Sequence, residues 1–423
     1  IHISNRMRIN NSINSNVRLS FLFEALQSFG RGIWMGNIFS LYVILFVESS
    51  KSIFGLTANE LLGITAGVSG IAMTAIVFPA GIMADKYPRQ IMLRISAIVG
   101  IIAMIPLAAA NRIFVILVAM LLWGAFQGLA RPAFESILAD SLPSGNRSGI
   151  YAKQHLVRQI AMASGSFLNV FLFLILGDVW DISILKSVML IGIIISLIST
   201  FTLFFFRDDR SMGSESEALL HQENSETGEK PILSKKAKRV PILLVISDII
   251  VGMGAGMSIK FFPVFFRSIY QMQPISVQMI MGSTAIFTGI LGILIQRFSV
   301  KKGRVEMIFV VKFLATICLI AIGFYPAVIL LIPLFVMRGS LMNAAHPLSR
   351  SILMDIIPKK NRGKWNSVET VAWGLFWNAS AVIGGFLIGD NNFQRCFFIT
   401  AGIYLVGTIP ILMLIPLVNK ETK

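Results

Sequence analysis

Twelve long apolar runs, separated by short polar turns, constrain this chain more than any other feature of its sequence. They fall at about 19–47, 58–84, 89–110, 112–140, 149–177 and 182–206, then 240–267, 274–296, 304–325, 327–357, 364–389 and 393–417. Roughly 20 apolar residues cross the ~30 Å hydrocarbon core of a bilayer as a helix. Backbone groups find no water there, so each run must satisfy its own N–H and C=O groups, which a helix does. The sequence therefore predicts an all-α integral membrane protein with twelve transmembrane helices, some long enough to tilt or to extend into water. Composition excludes the soluble alternative: of 423 residues, 55% are hydrophobic and only 14% are charged.

The net charge of +16 is distributed by topology. Basic residues sit in short clusters between the apolar runs rather than on one continuous face, so no nucleic-acid partner is expected. Counted by side, 25 Lys and Arg lie on one face, among them Lys86, Arg89, Lys301 and Lys302, and five on the other: Lys51, Arg112, Lys186, Arg267 and Arg395. This predicts both termini in the cytoplasm, or on the matrix or stromal side in an organelle. The expected organisation is a basic tail at 1–18, a six-helix half at 19–206, a polar linker at 207–238, a second half at 239–417 and a tail at 418–423. Cys318 and Cys396 lie in or beside apolar runs and imply no disulfide. Neither metal-ligand spacing nor an enzyme motif is present, so no cofactor, no metal and no enzymatic activity are expected.

The chain repeats itself. Ala130–Arg147 and Ala345–Arg362 match at one offset, with Pro132/Pro347, Ser136/Ser351, Ile137/Ile352, Leu138/Leu353, Asp140/Asp355, Pro143/Pro358, Asn146/Asn361 and Arg147/Arg362 identical. The end of the fourth helix thus corresponds to the end of the tenth. Two parallel repeats of six helices follow.

Between the second and third runs lies Gly81-Ile-Met-Ala-Asp-Lys-Tyr-Pro-Arg-Gln90, read as a tight turn. Gly81 would admit a close neighbour, Asp85 suits a helix N-terminus, and Lys86 and Arg89 mark the basic side. The pattern Gly81, Asp85, Lys86, Arg89 resembles the signature loop of the major facilitator superfamily, a family of secondary transporters. That resemblance, with the repeat and linker, covers essentially the whole chain. It implies parallel halves with a substrate site between them. It also implies a conformational latch in which Asp85 docks on a helix of the other half and Arg89 pairs with Asp140, with Arg147, Asp355 and Arg362 as further members. Pro88 replaces the usual glycine, and in the second half Gln296 stands where an acid would. The fifth helix lacks the Gly-Pro pair of the family's drug:proton antiporters.

Ionisable residues within membrane helices usually face the bundle interior or a wet cavity. Here they fall on the first, fourth, seventh and tenth helices, which line the central cavity in that family. Glu24, Arg31, Arg131, Glu135, Asp248, Arg338 and Arg350, with Asn37, are the substrate or proton candidates. Arg31 and Asp248 are expected at roughly 18 Å and 13 Å from their helix ends, near the midplane, where Asp248 could carry a proton and Arg31 bind an anion or pair with Asp248. Lys260 and Glu24 are expected near opposite surfaces. Arg131 and Glu135 form an i,i+4 pair. Gln27, Trp34 and Trp123 could shape a pocket, although packing is the commoner use of such residues.

The function expected is alternating-access transport of a small organic solute, with proton coupling as an open option and lipid as the surrounding partner. The expected form is a monomer. A different class, a non-transporting receptor or structural subunit of a membrane complex, is the alternative.

Overall fold

The computed structural model describes residues 14–49, 55–110, 112–142, 147–211, 239–356 and 359–418. They are all-helical, with no strand among the described residues. Eleven helices are long and apolar enough to cross a membrane. A twelfth, Lys359–Ile388, completes the set and carries an apolar stretch at Gly374–Ile388. The molecule is a multi-pass membrane protein.

The first span is two helices, Ser15–Trp34 and Asn37–Ser49, and the seventh is Arg239–Ser258 followed by a single 3-10 turn, Ile259–Phe261, and then Phe262–Tyr270. The remaining spans of the first half are Ala58–Lys86, Arg89–Ala108, Ile113–Asp140, Arg147–Leu176 and Ile182–Thr202. Those of the second are Pro274–Lys302, Arg304–Gly323, Val328–Ile356, Lys359–Ile388 and Phe393–Val418. Local chemistry sets several starts. Thr57 and Glu60 form a reciprocal capping box, which satisfies two N–H groups that a helix start would otherwise orphan. The carboxylate of Asp181 caps the sixth span by accepting from the Ser183 and Ile184 amides.

The turn after the second span is shorter than its sequence suggests. Gly81 to Lys86 remain helical, and the chain breaks only at Tyr87, whose φ of −114° and ψ of 155° are extended. Pro88 is the cause, since its ring disfavours helical conformation in the preceding residue.

Packing repeats with the sequence. The first span lies against the fifth and sixth, the fourth against the second and third; in the second half the seventh lies against the eleventh and twelfth, the tenth against the eighth and ninth. The halves meet through the second and eleventh spans and through the fifth and eighth. These two seams are exchanged by the same repeat, so the halves share a pseudo-two-fold relation. At one seam a Cβ on Gly63 would lie 2.6 Å from the Ala381 carbonyl, so only glycine allows that approach. Small residues serve this purpose where lipid offers no hydrophobic drive to bring helices together.

Trp34 and Trp123 belong to the core of the first half rather than to a pocket. Both are buried and meet edge to face at 5.3 Å and 78°, a favoured quadrupole arrangement. The Trp34 indole N–H donates to Ser196 Oγ at 3.1 Å.

Candidate functional site between the halves

Polar bonds between the halves gather toward the face opposite the basic turns. Arg267 makes a two-pronged pair with Glu48, at 3.0 and 2.8 Å. The Ile275 amide donates to Asp178 at 2.8 Å and the Trp180 indole to the Met272 carbonyl at 2.7 Å. Asn59 Nδ2 reaches the Gly389 carbonyl at 2.9 Å. A little deeper, Gln278 Oε1 accepts from both Asn37 and Asn169 at 3.4 Å. Asn37 is thus part of this closure.

Toward the basic face the halves leave space. Arg131 and Glu135 pair at 3.2 Å with side chains 45% and 55% exposed. Asn343 and His346 are exposed as well. A Cβ on Gly81, or on its repeat counterpart Gly292, would meet nothing within 4 Å. The close neighbour expected at Gly81 is therefore absent among the described residues.

The basic face of the first half is tied together internally. Arg89 pairs with Asp140, joining the third span to the fourth. Gln90 and Asp208 exchange bonds, amide to carboxylate at 3.1 Å and amide to side-chain oxygen at 3.4 Å. Asn16 donates to the Arg207 carbonyl at 2.8 Å and to Ser141 Oγ at 3.1 Å. Lys86 is exposed. The side chains of Asp85, Arg147, Arg350, Asp355 and Arg362 lie outside the described residues.

The cavity charges separate into two kinds. In the first half, Glu24 and Arg31 are half-buried and lie within electrostatic reach of Arg131, Arg158 and each other. Arg31 Nε is buried with no hydrogen-bond partner. In the second half, Asp248 is buried and receives Lys312 Nζ at 3.1 Å, with Ser247 Oγ also accepting from that lysine at 3.3 Å. The pairing of Asp248 with Arg31 expected from sequence is replaced by this one, because Asp248 points across to the ninth span. Lys312 was not among the sequence candidates, although one lysine in the apolar run Arg304–Gly323 was a usable signal: a lone buried cation needs an acid.

Arg338 is also buried, its guanidinium 4.7 Å above the Phe262 ring and 5.5 Å from Phe335. Such cation–π contact offsets part of the desolvation of a cation. Its Nε and Nη1 have no hydrogen-bond partner. Lys260, expected near a surface, instead occupies the 3-10 turn of the seventh span, ten residues or about 15 Å from the end of that span. It is held there by a 2.7 Å bond to Asn378 Oδ1. One cavity in the second half is lined by Asp248, Ile259, Lys312, Arg338, Asn343 and Trp377, among others. Among the described residues, no group of three or more His, Cys, Asp or Glu is placed to hold a metal ion.

The sequence profile of the Major Facilitator Superfamily matches residues 25–342 and, overlapping, 244–423. The chain belongs to that superfamily. Its fold is the one that these transporters share. A bacterial homologue of the iron transporter ferroportin, solved inward-facing, superposes with a TM-score of 0.68 at 12% identity, covering 94% of this chain and 98% of that one. A D-xylose–proton symporter gives 0.70 at 14% identity, covering 93% and 96%. The nucleoside transporter NupG gives 0.66 at 14%, covering 95% and 99%. At such identities the likeness is of fold, and these proteins' differing solutes stay their own. No curated protein sequence matches this chain.

Proposed function

We propose that this protein moves a small organic solute by alternating access, and that the conformation described is the one open to the cytoplasm. One observation carries the reading. The halves are bolted together by Glu48–Arg267, Asp178–Ile275 and Trp180–Met272 at one face, while Arg131 and Glu135 stay exposed toward the other. A seam closed at one end and open at the other is what rocking halves produce. The 25-to-five charge count assigns the open end to the cytoplasm, with both termini on that side. The empty space at Gly81 and Gly292 is then what closure of the cytoplasmic face fills, with Asp85 latching that alternate state.

Any coupling proton requires an acid that water can reach. Glu24 is half-buried beside Arg158 and meets that requirement; Asp248 is committed to Lys312. Acid-stimulated uptake that survives Glu24→Gln unchanged would remove Glu24 from the role.

Sidedness tests the whole reading. In a Cys318→Ala, Cys396→Ala background, Asn343→Cys should react with a membrane-impermeant thiol reagent from the cytoplasmic side. Arg267→Gln should open the far face and let the reagent in from there too. Equal labelling from both sides in the parent protein, unchanged by Arg267→Gln, would sink alternating access.

A further inference from the structure

Among the described residues, the group of charges around Glu24 and Arg31 holds more cation than acid, and the surplus straddles the seam. Within electrostatic reach of Glu24 or Arg31 are Arg131, Glu135 and Arg158 in the first half and Lys260 in the second. Glu135 is spent on Arg131, and Glu24 is shared among Arg158, Arg31 and Arg131. Among the described residues of this group, two carboxylates therefore stand against four cations. Arg31 and Lys260 sense each other's charge, and neither forms an ion pair within 4 Å among the described residues. Arg31 keeps a buried Nε without an acceptor. Among the described residues, Lys260 donates to the neutral amide of Asn378.

Both cations sit at breaks in their spans. Arg31 is one turn before the Met35–Gly36 interruption of the first span, and Lys260 is in the 3-10 turn of the seventh. That turn packs against the Asn37–Ser49 helix of the first span, which brings the two interruptions together across the seam. Paired interruptions in corresponding spans are where superfamily halves place a solute. Two like charges held together at membrane depth repel, and a planar guanidinium beside an ammonium suits a carboxylate or phosphate group. The neighbouring cavity has an apolar share from Val251, Ala255, Ile259, Met342 and Trp377 beside the polar Asp248, Lys312, Arg338, Asn343, His346 and Ser349.

We infer that the solute is an organic anion, its carboxylate or phosphate group seated between Arg31 of one half and Lys260 of the other, and its apolar body against the seventh and eleventh spans. This rests on the transport reading above and adds the solute's chemical class. An anion touching both halves would also tie them together, coupling occupancy to the rocking motion.

The test uses the full chain in detergent at constant ionic strength, with inorganic phosphate, succinate and hexanoate as anionic probes against glucose and tetraethylammonium. At least one anion should raise the unfolding midpoint, and the phosphate and carboxylate arms tell the two headgroups apart. Arg31→Gln and Lys260→Gln should each weaken that probe's apparent affinity at least tenfold, and Lys260→Arg should restore it. Neither Gln variant should lower the ligand-free midpoint, because neither charge has a carboxylate within 4 Å among the described residues. A shift with glucose or tetraethylammonium and with no anion overturns the inference, as does no shift with any anion, or undiminished anion binding in Arg31→Gln. Labelling of Asn343→Cys in the same preparations separates the two readings. If it is one-sided and responds to glucose alone, transport stands and the anion falls; if it is equal from both sides and blind to every probe, the transport reading falls first.

Discussion

The two halves share a fold and treat their charges in opposite ways. The second half buries an ion pair and an arginine. Asp248 and Lys312 form a pair with side chains only 10% and 4% exposed, and Arg338 lies on aromatic faces. The first half keeps Arg131 and Glu135 about half exposed and leaves Glu24 and Arg31 half-buried. A buried pair is fixed because separating it costs more than any solute supplies, whereas half-wet charges can exchange partners with a ligand. Repeat symmetry therefore supplies the scaffold, while the placement of ion pairs differs between the halves.

The sharpest way to break that contrast is at the buried pair. Asp248→Asn leaves the Lys312 ammonium at 3% exposure without a counter-charge, and losses of about 3–5 kcal/mol are typical when one partner of a buried pair is removed. The expected outcome is a large fall in the unfolding midpoint. Asp248→Asn with Lys312→Gln should recover most of it, since no orphaned charge remains. A single variant as stable as its parent would show that water reaches this site and that the halves do not differ as described.

The fold was legible in the chain because lipid enforces it. Span length, Lys and Arg bias and the 132/347 repeat each act through the bilayer, and the observed helices fall within a few residues of the expected runs. Legibility stopped where three-dimensional facing decides. Nothing in the local sequence says that Asp248 turns toward the ninth span, or that Lys260 stands at a break rather than at a surface. Glu48 and Arg267 are the signal that could have been used: opposite charges near corresponding ends of the first and seventh spans, one on each half. The Arg89–Asp140 pair was expected from the family resemblance of the Gly81–Arg89 turn, not from spacing alone.

A smaller effect is expected at the closed face. Glu48 is 46% exposed and Arg267 21%, so their pair is worth about 1 kcal/mol, which is about fivefold in the balance between open and closed forms. Glu48→Gln or Arg267→Gln should raise far-side labelling of Asn343→Cys by about that factor. Exchanging the two residues, Glu48→Arg with Arg267→Glu, should restore the parent ratio. If neither single variant moves labelling, closure rests on the Trp180 and Asp178 contacts instead.

In the first half, Glu135→Gln should barely register in the unfolding midpoint. An exposed i,i+4 pair contributes about 0.3–0.5 kcal/mol, so the contrast with Asp248→Asn should be close to tenfold. A loss comparable to that of the buried pair would mean that Glu135 anchors more than Arg131 and would erase the difference between the halves.

The wet character of the first half also predicts a weak acid dependence at Asp181, at the start of the sixth span. The Ser183 hydroxyl first, and then the Ser183 and Ile184 amides, hold this carboxylate below its usual range. A depressed carboxylate adds stability that is present above its unfolded pKa and is lost as pH falls through the folded one. Asp181→Asn should therefore lie slightly below the parent in midpoint at neutral pH. The gap should close as the pH drops below the ordinary carboxylate range of about 4. A constant gap across that range would mean that Asp181 acts through hydrogen-bond geometry alone, since Asn can also accept from the helix N-terminus. A widening gap at low pH would contradict the sign of the linkage.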